Sequence, residues 1–138
     1  MESDSDTAAD WRFPASPQGL AKALDALGER LWALGLRPDV VRRLSIAVDE
    51  LMGNLLRHDP PATSGVTVRL QVFHRAGTVE VVLHQPGRPF DPTRVGSPEA
   101  PQEIGGVGLR ITNSIVDGMQ YRRVRDTNVV HLSVLTDP

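Results

Sequence analysis

Between residues 38 and 58 the apolar positions recur at helical spacing. At about 100° per residue, Val40, Leu44, Val48, Leu51 and Leu55 form one stripe, so the segment reads as a strongly amphipathic helix. Pro38 sits near its start, and Asp59, Pro60 and Pro61 lie beyond its end. An earlier helix is predicted from Pro17, capped by Ser16, to about Leu34, with Gly35 as its stop. Its Leu20, Leu24, Leu27, Leu31 and Leu34 repeat as core or subunit-contact residues do. Period two takes over at Val66, Val68, Leu70 and Val72, predicting a strand over Val66 to Phe73. The turn Arg75, Ala76, Gly77, Thr78 joins it to a second strand over Val79 to His84. Trp11 to Phe13 suits a short edge strand. A Pro- and Gly-rich loop after His84 leads to a third helix with Leu109, Ile111, Ile115 and Val116 to bury, and strands over Gln120 to Val124 and Val129 to Leu135 close the sheet. The order β, α, α, β, β, loop, α, β, β predicts an α+β two-layer sandwich: a mixed, mostly antiparallel sheet with helices on one face.

Composition narrows the class. The 138 residues are 40% hydrophobic and 23% charged, as expected of one globular domain over residues 11–138. The acidic residues 1–10 read as a disordered leader. Net charge is −2 and the arginines are scattered along the chain without interleaved aromatics, which argues against direct binding of nucleic acid. With no cysteine, disulfides and thiolate metal sites are excluded. No stretch approaches the roughly 20 apolar residues of a bilayer span, and the amino terminus lacks a basic, apolar export signal. A cytoplasmic protein without membrane contact is the expectation.

Three places carry candidate chemistry. On the central helix Glu50, Asn54 and Arg57 follow one edge of the apolar stripe, while Asp49 points away. A carboxylate and an amide one turn apart can share a hydrated metal and an activated hydroxyl, although such residues also border ordinary helices. Gly53 within this helix marks either close backbone approach or nothing in particular. Residues 85–91, Gln-Pro-Gly-Arg-Pro-Phe-Asp, end a strand with a glycine turn that a flat ligand could approach or that is simply surface. Residues 104–109, Ile-Gly-Gly-Val-Gly-Leu, open the third helix, where free N–H groups favour anions. No Gly-Lys-Ser/Thr follows, so this is not a Walker loop.

In this order the three segments resemble the GHKL (Bergerat-fold, histidine-kinase-like) ATPase superfamily, and most closely its small bacterial anti-sigma factor serine/threonine protein kinases. The family box E-x-x-x-N-x-x-[KR]-H falls on Glu50, Asn54, Arg57 and His58; D-x-G-x-P-F-D falls on residues 85–91, matching at Gly87, Pro89, Phe90 and Asp91; G-G-x-G-L is Gly105, Gly106, Val107, Gly108 and Leu109. The resemblance implies ATP and Mg²⁺ as cofactors, Glu50 as general base, Asn54 as metal ligand and the glycine segment around the phosphates, with residues 91–104 as a lid. It further implies an anti-sigma factor that phosphorylates an antagonist of the STAS type and binds a sigma factor, and it is compatible with a homodimer. One departure stands out: the family's adenine-reading Asp is Gln85 here. Gln has one acceptor oxygen and an NH₂ that needs its own partner, which would lower nucleotide affinity about five- to 150-fold. The alternative is therefore a nucleotide-deficient binding module that sequesters its partner without catalysis. A sensor histidine kinase is disfavoured, because both helices before the sheet are already assigned and none is left for a phosphoacceptor pair.

Overall fold

The computed structural model describes residues 7–59, 65–94 and 106–136, with only the backbone at 106 and 107. Along the chain run β1 (Thr7–Pro14), α1 (Pro17–Ala33), α2 (Pro38–His58), β2 (Thr67–Arg75), β3 (Thr78–Pro86), a 3₁₀ turn at Pro92–Arg94, α3 (Gly106–Ile115), β4 (Gly118–Val124) and β5 (Thr127–Leu135). Capping behaves as the sequence predicts. Ser16 Oγ accepts from Gly19 N at 3.0 Å at the start of α1, and Gly35 follows its end at φ 77°.

The strands form one sheet in the order β1-β2-β3-β5-β4. All four pairings are antiparallel, so the expected mixed character is corrected: every neighbour pair runs through a register that reverses direction. β1 is also longer than Trp11 to Phe13. It begins at Thr7, which takes residues 7–10 out of the predicted disordered leader, and Asp10 is tied to Arg69 on β2.

The helices cover one face. Leu27 and Leu31 of α1 and Val40, Leu44 and Val48 of α2 are fully buried against Leu70, Val81, Leu83 and Leu132 of the sheet. The Leu stripe of α1 is thus core, with Leu20, Leu24 and Leu34 packed at its margin. Of the four residues predicted to be buried at α3, Leu109 and Val116 are in the core and Ile115 packs against it, but Ile111 does not. Ile111 is 49% exposed and Thr112 is buried beside Leu109 and Val116, because only the 109, 112, 116 spacing faces α2 and the sheet across a helix this short. No described helix is long and apolar enough to cross a membrane.

The other sheet face carries a small cluster of Phe73, Val82 and Val129. His84 lies on that face with Nε2 2.8 Å from Gln71 Oε1. Burial pushes its imidazole down to about 4, helped by the charges of Arg69 and Arg122. The folded state therefore holds His84 neutral where the unfolded chain, near pKa 6.5, already binds a proton. Stability is full above about pH 6.5 and falls as the pH drops toward 4. Discounted for partial exposure, the loss at pH 5 is about 1 kcal/mol. Melting curves at pH 7.5 and 5 should show a smaller drop for His84→Gln than for the wild type; an equal drop would place the acid sensitivity elsewhere.

Candidate functional site

The polar edge of α2 meets the first turn of α3. The carboxylate of Glu50 occupies the space that a Cβ on Gly108 would fill, so glycine at this position lets Glu50 lie against the first turn of α3. Arg57 folds back over Gly53, its Nη1 3.0 Å from where a Cβ would stand, and its Nη2 donates to Glu50 Oε2 at 3.2 Å. The nearest atoms to a Cβ at Gly53 all belong to side chains, so no close backbone approach accounts for this glycine. Asn54, one turn beyond Glu50, is 1% exposed, and neither its Nδ2 nor its Oδ1 has a partner among the described residues. A fully buried primary amide is costly to leave unpaired, by about 1–3 kcal/mol. It is therefore the atom pair that most calls for a ligand.

A second wall comes from the end of β3. Gly87 adopts φ +153°, and a Cβ there would come within 2.9 Å of Asp59 Oδ2. Asp59, the first residue after α2, accepts from Arg88 N at 2.8 Å and from Arg88 Nε at 3.2 Å. Asn128 of β5 fastens the same turn from below: its Nδ2 donates to Arg88 O at 2.8 Å, and its Oδ1 accepts from Phe90 N at 3.1 Å and Tyr121 Oη at 2.7 Å. Asp91 Oδ1 accepts from Thr93 N at 2.9 Å, so this acid caps the 3₁₀ turn. Between α2 and the turn lies an open cleft of about 430 Å³, lined by Asn54, Leu55, His58, Asp59, Arg88 and Phe90. Its size and its mix of apolar wall and few polar groups suit a small organic ligand.

Gln85 stands behind this cleft. It is 5% exposed, and its Nε2 lies 3.5 Å from Leu51 O, at the limit of a hydrogen bond. Gln85 and Asp59 both line a crevice of about 20 Å³, room for one water. Asp59, just beyond the end of α2, is thus an acid lining the same crevice as Gln85.

The structure brings Glu50, Arg57 and Gly108 together at the α2–α3 junction, and Asn54, His58 and Phe90 around the cleft, with Gly87 against Asp59 and Gln85 in the adjoining crevice. Leu109 is fully buried in the core, so its side chain is packing rather than ligand wall. Gly106 and Val107 form the start of α3, while Gly105 and most of the predicted lid, residues 95–104, lie outside the described residues. Two contributors escaped the sequence reading, Asp59 and Asn128. Asn128 had a visible signal: it keeps the period-two spacing of Val130, Leu132 and Val134, which places an amide on the buried face of β5. Asp59 had none, since only the return of β3 brings Gly87 to it. No group of three or more His, Cys, Asp or Glu side chains able to hold a metal occurs among the described residues. A cation in the cleft would pair the Asn54 oxygen with oxygens of ligand and water, the donor set of Mg²⁺.

Comparison with known proteins bears on the family and the fold. A family model described as the histidine kinase-like ATPase domain matches residues 13–134. No curated protein matches the chain. Among solved structures, the RsbU and RsbW domains of Rv1364c from Mycobacterium tuberculosis align with a TM-score of 0.63 at 15% identity, over 94% of this chain and 33% of that one. This chain thus spans about a third of that solved two-domain chain. The SiaB-SiaC complex from Pseudomonas aeruginosa gives 0.63 at 12% identity, over 94% and 91%. The histidine kinase domain of a blue-light activated histidine kinase from Erythrobacter litoralis gives 0.56 at 16% identity, over 85% and 61%. At such identities the likeness to these structures is one of fold.

Proposed function

The chain belongs to the histidine kinase-like ATPase domain family, within the GHKL superfamily, and from that premise we propose that it is a Mg-ATP-dependent protein serine kinase acting as an anti-sigma factor. The observation that carries this reading is the buried, unpartnered amide of Asn54 beside Glu50, at the glycine start of α3. Those residues fit the nucleotide and its ion. Asn54 would hold Mg²⁺, the backbone N–H groups at the start of α3 would meet the phosphates, and Leu55 and Phe90 would flank the base. When bound, Mg-ATP supplies the phosphoryl group and the charge neutralisation for its transfer.

The protein's own groups do the rest. Glu50 accepts the proton of the incoming serine hydroxyl, and Arg57, donating to Glu50 Oε2 at 3.2 Å, fixes the direction of that carboxylate. Gly108 leaves the room in which the Glu50 carboxylate meets the phosphate end of the site. The cleft mouth between α2 and the 88–90 turn is open, as a protein substrate requires. That substrate is an antagonist of the STAS type, and the second partner is a sigma factor. Support for a protein partner comes from the likeness to SiaB, which was solved as a complex with SiaC.

Gln85 favours a second reading, a binding module that keeps the fold and has lost the nucleotide. Asp59 weighs against it, because its carboxylate can orient the water that Gln85 alone cannot. Calorimetry with Mg-ADP separates the two. Micromolar binding is expected, weakened about tenfold in Asp59→Asn as a charge-assisted acceptor is lost. Absence of heat at millimolar Mg-ADP would establish the module instead.

A further inference from the structure

On the face of the sheet that carries no helix, the registers bring one residue of each strand into a single transverse row. Arg12 on β1 pairs with Arg69 on β2, Arg69 with His84 on β3, His84 with Val129 on β5, and Val129 with Arg122 on β4. Like charges directly opposed across strands are destabilising, and Arg12 stands opposite Arg69. Asp10 binds one of them, accepting from Arg69 Nε at 2.9 Å and Nη2 at 2.7 Å, and feels the charge of the other, Arg12, without a hydrogen bond to it. Arg12 and Arg122 are exposed, and neither forms an ion pair among the described residues.

Around this row lies a hollow of about 380 Å³ whose lining also includes Thr67, Thr127 and, at the β4–β5 turn, Arg125. Asp126 is the one acid among its lining residues, and its Oδ1 already accepts from Thr127 Oγ1 at 3.0 Å. The chain as a whole is negative, at −2, so the positive charge is gathered here against the overall balance. The depressed imidazole of His84 reports the same local field, with Arg69 and Arg122 acting in the same direction as burial.

We propose that this hollow is a binding site for a ligand carrying two linked phosphoryl groups, a diphosphate either free or at the end of a nucleotide. Guanidinium forks match phosphate oxygens bidentately, and Thr67 adds a hydroxyl donor. Arg12 and Arg122 are separated by four strand spacings, roughly 19 Å between backbones. Two inward-turned arginine side chains reduce that gap to the width of two phosphoryl groups rather than one. Among the described residues no Phe, Tyr or Trp lines the hollow, so it lacks the broad stacking platform of a single-stranded nucleic-acid groove. It is separate from the cleft at α2: the two share no lining residue, and Gln85 faces the helices while its neighbour His84 lines this face.

The test is calorimetry of the full chain with pyrophosphate in the absence of Mg²⁺. Micromolar binding is expected, about tenfold or more weaker for orthophosphate and for R12Q/R122Q, and unchanged in Asn54→Leu. Mg-ADP affinity should be the same in R12Q/R122Q as in the wild type, which keeps the result independent of the kinase reading. Both arginines are exposed, and Arg122→Gln alone serves should the double variant melt early. Guanosine diphosphate forms the second arm: binding as tight as pyrophosphate assigns a nucleotide end, and none assigns the free diphosphate. No heat at millimolar pyrophosphate, loss of binding in Asn54→Leu but not R12Q/R122Q, or preference for an Asp- and Glu-rich peptide would each overturn the proposal.

Discussion

Replacing Asn54 by Leu is expected to raise the melting temperature and to abolish Mg²⁺-dependent nucleotide binding. The amide is 1% exposed with both polar atoms unpartnered among the described residues, so folding strips it of water and returns nothing. An apolar side chain of similar shape removes that penalty, about 1–3 kcal/mol, or roughly 3–10 °C in a domain of this size. The same change deletes the oxygen that would hold the metal. Thermal melts of the free protein and calorimetry with Mg-ADP read the two effects separately. A fall in melting temperature would show that the amide is satisfied in solution; unaltered Mg-ADP affinity would remove Asn54 from the site. The opposed signs matter, because a merely structural asparagine would not gain stability on removal.

Glu50→Gln should lower phosphoryl transfer to the cognate antagonist about 10²- to 10⁴-fold, the usual worth of a positioned general base. Mg-ADP affinity should stay within about twofold, since the amide keeps the shape of the carboxylate against Gly108 and leaves the metal ligand in place. Asp49→Asn is the control. Asp49 is exposed on the far side of α2, and its loss should leave the rate unchanged. Transfer by Glu50→Gln within threefold of wild type would sink the assignment. A drop matched by an equal loss of Mg-ADP binding would instead make Glu50 a binding residue.

Much of the site was legible because it is local. Glu50, Asn54 and Arg57 share an edge of α2 through helical spacing alone, and the structure keeps them there, with Asp49 turned outward. The reading weakened where an element is short. α3 has ten residues, too few for periodicity to choose its buried side, and Ile111 was placed wrongly while Thr112 went unnoticed. Taken alone, Gln85 is only the loss of a carboxylate. Only the folded chain shows Asp59 beside it, because α2 ends where β3 turns.

The sequence by itself determined the elements, the α+β class, the apolar stripe of α2 with its polar edge, and the glycines where chain and ligand approach closely. These follow from repeats of two and 3.6 residues and from the φ/ψ freedom of particular residues, which act over a few neighbours. Tertiary structure alone decided that Asn54 is sealed from water without a partner, that Glu50 fills the space over Gly108, and that arginines scattered at 12, 69 and 122 stand in one row. Each depends on strand register and helix packing, which join residues up to a whole chain apart, and no local period records which strand will lie beside which.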